Sequence, residues 1–319
     1  MGFAHTPLLH GRSRAPCLSD VSPSQPAYRD FGQCRRNDQM GHRHSRRAAM
    51  KDVVNLYSGS VPAVYDHYRG PVFFEPYARD LAERLQHVVH GSVLEVAAGT
   101  GIVTRILAAL LPPQVTIVAS DISPAMLDFA VAQSGVERVA WRQADALALP
   151  FPDSAFDAVL CQFGAMFFQN KVAGYREAFR VLKPSSRFVF NVWDRIEENE
   201  FCWVVNKAVG RLFPGDPPEL MARTAYGYYD TAKIAQELSV AGFGAVSIET
   251  VERLSHAPSA HDLAIGFCQG SPLRSEIEAR AATRLTEATE TATEALLARF
   301  GAGPIVGKMR AHVITATKE

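Results

Sequence analysis

Residues 93–101 read Val-Leu-Glu-Val-Ala-Ala-Gly-Thr-Gly, and this stretch decides the fold. A short apolar run that contains one acid, Glu95, is typical of a buried strand. The glycines Gly99 and Gly101 predict a tight turn in which the backbone can approach a ligand closely. Residues 101–111 then follow as a helix that a Pro-Pro pair ends. A strand, a glycine turn and a helix in this order predict the first unit of a parallel α/β sheet.

The same alternation continues on both sides of this unit. Ser123 followed by Pro124 predicts a helix start, with the serine as N-cap and the proline at the first helical position. Strands are predicted at 92–96, 115–120, 139–142, 156–162, 187–192, near 245–254 and at 311–317, and helices at 74–88, 172–182, 231–241, after Ser259 and within 274–299. Strands that alternate with helices imply a parallel sheet with right-handed crossovers.

The N-terminal region differs in composition from the rest of the chain. Residues 1–50 hold eight arginines, no lysine and three aspartates, a net charge of +5, so the remaining residues carry −5. Because residues 1–49 lack apolar periodicity, we expect a disordered basic segment there. It is a basic arm, an organelle transit segment, or a stretch that is not translated because synthesis begins at Met50 or Met40. The position of Met50, directly before the first periodic sequence, favours the third explanation.

Composition narrows the class of protein. Of the 319 residues 47% are apolar, enough for a sizeable core, yet the sequence holds no run long enough to span a membrane and no secretory signal. The five cysteines form no Cys-x-x-Cys pair, which favours reduced core thiols over a metal site or a disulfide framework. We expect a cytoplasmic protein without a metal. The mildly acidic body gives no electrostatic reason to expect a nucleic acid partner.

Acidic residues mark three successive strand ends. Glu95 lies in the first strand, Asp121 ends the second and Asp145 follows the third. Open parallel sheets bind ligands at the carboxyl ends of their strands. Carboxylates there are a poor lining for a pyrophosphate, but they suit a ligand with a ribose, an exocyclic amine and an α-ammonium group.

Five segments in this order resemble class I S-adenosylmethionine-dependent methyltransferases, in particular the small-molecule branch of ubiquinone/menaquinone-type enzymes. They are Val-Leu-Glu-Val-Ala-Ala-Gly-Thr-Gly (93–101), Ala-Ser-Asp-Ile-Ser-Pro-Ala-Met-Leu (119–127), Gln-Ala-Asp-Ala-Leu-Ala-Leu-Pro-Phe (143–151), Phe-Asp-Ala-Val (156–159) and Arg-Val-Leu-Lys-Pro (180–184). The resemblance covers about residues 56–194. It implies a Rossmann-like, doubly wound, mainly parallel seven-stranded sheet with an antiparallel last strand and helical insertions. It also implies methyl transfer from S-adenosyl-L-methionine to a small organic molecule.

The resemblance assigns cofactor-binding roles along the strand ends. Glu95 and the glycine loop would face the amino-acid part of the cofactor, Asp121 would hold both ribose hydroxyls, and Asp145 would accept from the adenine amine. The full predicted set is Glu95, Ala97, Gly99, Thr100, Gly101, Asp121, Ile122, Met126, Asp145, Ala146, Gln162 and Phe163. Two positions depart from the family pattern, because Ala97 replaces its usual first glycine and Ser185-Ser186 replaces a Gly-Gly pair.

The sequence indicates the residues that bind the methyl acceptor less clearly than those that bind the cofactor. Tyr65, Tyr68, Phe167 and Trp193 are candidates for the substrate pocket. Methyl transfer from a sulfonium requires alignment more than a strong base. Asp194, at the end of the fifth strand, is the candidate general base.

The resemblance also suggests a division of the chain into functional parts. Residues 50–319 would form a single methyltransferase domain. Its cofactor-binding core would be 70–194, and lid or substrate elements would be 50–69, 195–230 and 256–305.

Three alternatives remain open. A nicotinamide-dependent oxidoreductase would have glycine at the sixth position of Gly-x-Gly-x-x-Gly, where this chain has Thr104. A non-catalytic S-adenosylmethionine-binding module would keep the same motifs. An aminopropyl transferase would carry added carboxylates after the fourth strand, and Gln162 to Met166 include none.

Overall fold

The computed structural model describes Tyr57 and residues 59–319. The predicted disordered segment, residues 1–49, and the first part of the predicted lid, residues 50–56, lie outside the described residues.

One seven-stranded sheet organises the described chain, and it confirms the predicted fold class. The strand order is β3-β2-β1-β4-β5-β7-β6. The strands are β1 (Gly91–Val96), β2 (Val115–Asp121), β3 (Val139–Gln143), β4 (Phe156–Gln162), β5 (Leu182–Trp193), β6 (Ala245–Ala257) and β7 (Ile305–Thr317). β1 to β5 pair in parallel, whereas β7 lies antiparallel between β5 and β6. The predicted antiparallel last strand is therefore confirmed.

Helices connect the strands and cover the sheet. They are α1 (Val61–Val64), a π-helix (Tyr65–Phe74), α2 (Glu75–Glu83), α3 (Ile102–Leu110), α4 (Pro124–Val131), α5 (Lys171–Val181), α6 (Glu200–Arg211), α7 (Leu220–Arg223), α8 (Thr231–Ala241), α9 (Ala260–Gln269), α10 (Leu273–Ala281) and α11 (Leu285–Phe300). Short 3₁₀ turns occur at Ala165–Phe167, Ile196–Glu198 and Ala282–Arg284. α2 packs against α3 and α5 against α8, while α9 contacts both α11 and the π-helix. No helix among the described residues is both long and apolar enough to cross a membrane.

The helix boundaries follow local capping chemistry. The Ser123 hydroxyl accepts from the backbone N–H of Met126, which confirms the predicted start of α4. Gly242, with φ of +113°, ends α8 in the left-handed conformation that glycine adopts readily. The Ser259 hydroxyl likewise accepts from the Asp262 N–H at the start of α9.

The helical region before β1 differs from the sequence expectation. The apolar stripe from Phe74 to Val88 predicts one helix, but α2 ends at Glu83 and turns follow. The chain before it is a π-helix that contains Pro71, and the Glu75 N–H reaches the Gly70 carbonyl five residues back. Proline lacks an N–H and disrupts regular α-helical bonding, so the widened turn accommodates it.

Candidate functional site

A cavity of about 620 Å³ opens at the carboxyl ends of β1, β2 and β4. Its volume lies within the range of roughly 300–1,000 Å³ that small-molecule and cofactor sites occupy. Twelve of the residues predicted from the sequence line it: Tyr65, Ala97, Gly99, Asp121, Ile122, Met126, Asp145, Ala146, Gln162, Phe163, Phe167 and Trp193. Five other predicted residues, Tyr68, Glu95, Thr100, Gly101 and Asp194, are not part of its lining. The cavity thus brings together most of the predicted set.

The turn after β1 brings backbone to the cavity wall. Ala97 and Gly99 adopt positive φ values of +56° and +57°, and both line the cavity. The Ala98 N–H donates to the Ser120 carbonyl of β2 at 2.9 Å, which ties the turn to the neighbouring strand. Apart from the adjoining residues of the turn, no atom of the described residues lies within 4 Å of the position that a Gly99 Cβ would occupy, so the open side of the turn leaves room for a ligand.

Glu95 lies behind this turn and is 1% exposed. Its carboxyl accepts a 2.5 Å hydrogen bond from the Thr104 hydroxyl of α3. Burial raises the pKa of Glu95 to about 8, although the Thr104 hydrogen bond opposes the rise. Glu95 therefore supports the turn from beneath, and Thr104 occupies the position where a dinucleotide-binding fingerprint has glycine.

Asp121 presents its carboxylate at the end of β2. The Gly99 N–H donates to Oδ2 and the Ser123 N–H donates to Oδ1, each at 2.8 Å. Burial raises the pKa of Asp121, and these two backbone donors oppose the rise. The donors also fix the direction of the carboxylate, and each oxygen keeps lone-pair capacity for a hydroxyl in the cavity.

Residues after β2 and β3 form an apolar wall with one acid. Ile122 and Met126 lie beside Asp145 and Ala146 in the cavity lining. The Leu147 N–H donates to Asp145 Oδ1 at 2.9 Å, which orients that carboxylate. A flat heteroaromatic group with an exocyclic amine fits this combination of apolar side chains and one hydrogen-bond acceptor.

An aromatic stack forms the opposite wall. The Phe163 and Trp193 rings are parallel within 8° and their centroids are 3.8 Å apart. Phe163 has φ of +50°, and its N–H donates to the buried Asn191 Oδ1 at 2.8 Å. Gln162 beside it donates to the Phe74 carbonyl at 3.3 Å, while its Oε1 is buried without a hydrogen-bond partner among the described residues. The wall thus offers an apolar, aromatic face to the cavity.

The helical segment before β1 covers the cavity. Tyr57, Tyr65, Arg69 and Phe74 line it from this side. Burial raises the pKa of Tyr57 to about 12 and raises that of Tyr65 further. Both phenols therefore stay protonated at neutral pH, so each can donate a hydrogen bond and neither can act as a base.

Asp194, the candidate base, lies in an ion-pair cluster outside the cavity. Its Oδ2 is 2.6 Å from Arg310 Nε and its Oδ1 is 3.4 Å from His312 Nε2. Burial raises the pKa of Asp194, but the Arg195 N–H and Arg310 outweigh that effect and hold it below its usual value. The carboxylate of Asp194 is thus paired with two basic side chains of β7.

Several lining residues were not predicted individually, although they lie within the segments predicted as lid or substrate elements. Arg69 is the most unusual, since it is a buried cation, and its position four residues after Tyr65 and four before Phe73 on an aromatic helical face was the available signal. Met221, Tyr226 and Ser271, from the segments after β5 and β6, line the cavity with no local motif to mark them. Among the described residues no cluster of three His, Cys, Asp or Glu side chains is placed to hold a metal ion.

Comparison with known proteins agrees with this geometry. Residues 93–185 match a family described as "Methyltransferase domain". The demethylmenaquinone methyltransferase of Deinococcus radiodurans is 44% identical over 110 residues, which are 34% of this chain and 45% of that protein. A ubiquinone/menaquinone biosynthesis C-methyltransferase of Ectopseudomonas mendocina is 39% identical over 101 residues, 30% of this chain and 40% of that protein. The chain spans less than half the length of these curated relatives.

Solved structures show the same fold. Haemonchus contortus phosphoethanolamine N-methyltransferase 2 in complex with S-adenosyl-L-methionine superimposes with a TM-score of 0.54 and 15% identity, over 82% of this chain and 57% of that one. Its complex with phosphomonomethylethanolamine and S-adenosylhomocysteine gives a TM-score of 0.52 and 16% identity, over 81% and 56%. At such identity the likeness is one of fold alone. The family match over residues 93–185 and the shared fold agree with the predicted resemblance to class I methyltransferases.

Proposed function

We propose that this protein is an S-adenosyl-L-methionine-dependent methyltransferase that transfers a methyl group by in-line displacement to a small, partly hydrophobic organic acceptor. One observation carries the proposal. The cavity at the strand ends holds two carboxylates, Asp121 and Asp145, each oriented by backbone N–H donors, within a methyltransferase domain.

The described residues fit this cofactor. Asp121 would accept from the ribose hydroxyls, and Asp145 with the Ala146 backbone would contact the adenine edge between Ile122 and Met126. When bound, the cofactor supplies a methyl group on a positively charged sulfur. Carboxylates in the lining favour a cationic ligand and repel a pyrophosphate, which argues against a nicotinamide dinucleotide.

The protein's own contribution would be alignment and exclusion of water. The stacked Phe163 and Trp193 rings and the half-buried Tyr65 would exclude solvent from the acceptor side. The protonated Tyr57 and Tyr65 hydroxyls would orient polar groups of the acceptor. Asp194 has no proton-transfer role in this proposal, because its carboxylate is engaged with Arg310.

We further propose a small-molecule acceptor rather than a nucleic acid, and a cytoplasmic location. The aromatic cavity and the net charge of −5 over residues 51–319 support the first. The free, buried thiols of Cys161, Cys202 and Cys268 are compatible with a reducing compartment.

Transfer of a labelled methyl group tests the proposal. The protein is incubated with methyl-labelled S-adenosyl-L-methionine and a panel of small phenols, amines, thiols and carboxylic acids. We expect a labelled product and stoichiometric S-adenosylhomocysteine with at least one acceptor, and loss of both in an Asp121→Asn variant. Cofactor binding without transfer to any acceptor would favour the non-catalytic binding module instead.

A further inference from the structure

Arg69 is a buried cation in the cavity wall. Its side chain belongs to the π-helix, and the residue is 7% exposed. The guanidinium carbon lies 5.3–5.8 Å from the centroids of four aromatic rings: Tyr65, Phe73, Phe74 and Phe267. Arg69 is therefore held by an aromatic cage formed by its own helix and α9.

No acid of the described chain neutralises this charge. Asp66, the nearest acid along the same helix, pairs with Arg105 at 3.0 Å instead. Among residues 59–319 and Tyr57 no carboxylate lies within ion-pair distance of Arg69, and its buried Nε has no hydrogen-bond partner. Each cation–π contact stabilises a cation by only about 0.5–2 kcal/mol. The aromatic contacts leave the charge of Arg69 without a counter-ion among the described residues, and an anion in the cavity would supply one.

Arg69 and the carboxylates assigned to the cofactor belong to different elements of the fold, although Tyr57 and Tyr65 lie near both Arg69 and Asp121. Asp121 and Asp145 extend from the ends of β2 and β3, whereas Arg69 packs on Phe267 of α9. Met221 and Tyr226, from the segment after β5, complete this helical side of the cavity. The cavity therefore has an acidic end on the sheet and a basic point on its helical cover.

We propose that Arg69 binds a carboxylate of the methyl acceptor; this rests on the proposed function above. A carboxylate matches the planar guanidinium, which can donate two parallel N–H bonds to it. One positive charge is neutralised by one negative charge, which favours a carboxylate over a phosphate dianion in a buried site. The apolar rings around the pair accommodate the hydrophobic body of the acceptor, so the predicted substrate class is a small hydrophobic or aromatic carboxylic acid.

The experiment compares acids with their uncharged amides. Benzoate, phenylacetate and hexanoate, each with its primary amide, are titrated calorimetrically into protein saturated with S-adenosylhomocysteine. We expect at least one acid to bind about tenfold or more tightly than its amide, as a charge-assisted hydrogen bond provides. That preference should disappear in Arg69→Met, persist in part in Arg69→Lys, and persist fully in Arg79→Met, whose side chain is 65% exposed.

Two results overturn the proposal. The first is the absence of a preference for acids: the wild type binds acids and amides equally, or binds neither, or the preference for acids survives in Arg69→Met. If Arg69→Met does not fold, Arg69→Lys decides, because a shorter cation that lacks the planar fork should retain only part of the preference.

The other result would assign Arg69 to the cofactor. S-Adenosylhomocysteine and 5′-methylthioadenosine, which lacks the amino-acid carboxylate, are titrated into wild type and Arg69→Met. The proposal predicts the same small change for both ligands, and selective weakening of S-adenosylhomocysteine contradicts it. Failure of the wild type to bind S-adenosylhomocysteine at all would count against the proposed function, and it is seen before any acid is added.

Discussion

Ala97 adopts a backbone conformation that costs any residue with a Cβ more than it costs glycine. Its φ is +56°, in the left-handed region. A Cβ built on Gly164 would lie 2.4 Å from the Ala97 Cβ and 2.8 Å from Cys161 Sγ. The alanine at the usual first-glycine position of the family is therefore tolerated because glycine stands opposite it in the β4 turn.

This pairing predicts an energetic coupling between Ala97 and Gly164. Gly164→Ala should lower the free energy of unfolding by about 1–3 kcal/mol through overpacking. Ala97→Gly should recover part of that loss in the double variant, because it removes the closer contact. Chemical denaturation measures all three variants, with Gly215→Ala as a control, since its added Cβ meets no atom within 4 Å. Strictly additive losses would contradict the coupling.

Glu95 predicts a pH dependence of stability. The pKa of its carboxyl is about 8 in the folded protein against an ordinary 4.5, so the folded state holds the proton more tightly. Its contribution to stability is complete below about pH 4.5 and is lost as the pH rises through about 8. Glu95→Gln removes this ionisation, so it should be more stable than wild type at pH 9 by an amount on the order of kcal/mol.

Thermal unfolding between pH 5 and pH 9, without ligand, measures this difference. An exposed glutamate, Glu83→Gln, is the matched control and should show no such trend. A Glu95→Gln difference that stays constant with pH, or that favours wild type at pH 9, would contradict the proposed burial of a protonated acid.

At the scale of the element, α3 depends on a clamp at its carboxyl end. The Arg138 guanidinium donates to four backbone carbonyls, those of Ala108, Leu111, Pro112 and Val115, at 2.7–3.2 Å. Terminal helix carbonyls have no intrahelical partner, so these bonds satisfy the end of α3 and tie it to β2. The clamp fixes the far end of the helix whose amino end supports the β1 turn.

Arg138→Lys should therefore lower the free energy of unfolding by about 1–3 kcal/mol, because an ammonium cannot reach four acceptors with a planar fork. Denaturant titration measures the loss. Arg142→Lys on β3, a half-buried arginine for which no side-chain hydrogen bond is found within the described chain, should change stability little. Equal effects of the two substitutions would show that the clamp contributes nothing.

The sequence predicts elements well where the signal is local. Periodicity places β4 at its observed bounds. Gly242 marks the end of α8, and the predicted helix matches the observed Thr231–Ala241. These local signals miss α6, because its aromatic residues form no recognisable sequence motif and the helix packs against α11, which is distant in sequence. The predicted β7 is also too short. The first half of the observed strand pairs with β6 in a long antiparallel ladder, and this tertiary pairing leaves no local signal in the sequence.

At the scale of the whole molecule, the strand order brings distant segments to one edge. Asp121 and Asp145 could be predicted, because residues at the carboxyl ends of parallel strands share that edge. Arg69 and Tyr226 could not, because their place in the cavity depends on how helices outside the sheet pack across it. The residues proposed to bind the cofactor can thus be predicted from local sequence motifs, whereas those proposed to bind the acceptor depend on tertiary packing. The division into core and lid segments stays a prediction.

Calorimetric titration with S-adenosylhomocysteine and with NAD distinguishes the two cofactor classes. We expect wild-type protein to bind S-adenosylhomocysteine and not NAD. Asp121→Asn should weaken that binding by about tenfold or more, the value of hydrogen bonds to a charged group, whereas the exposed Asp128→Asn leaves it unchanged. Binding of NAD without binding of S-adenosylhomocysteine, or full affinity in Asp121→Asn, would contradict the account.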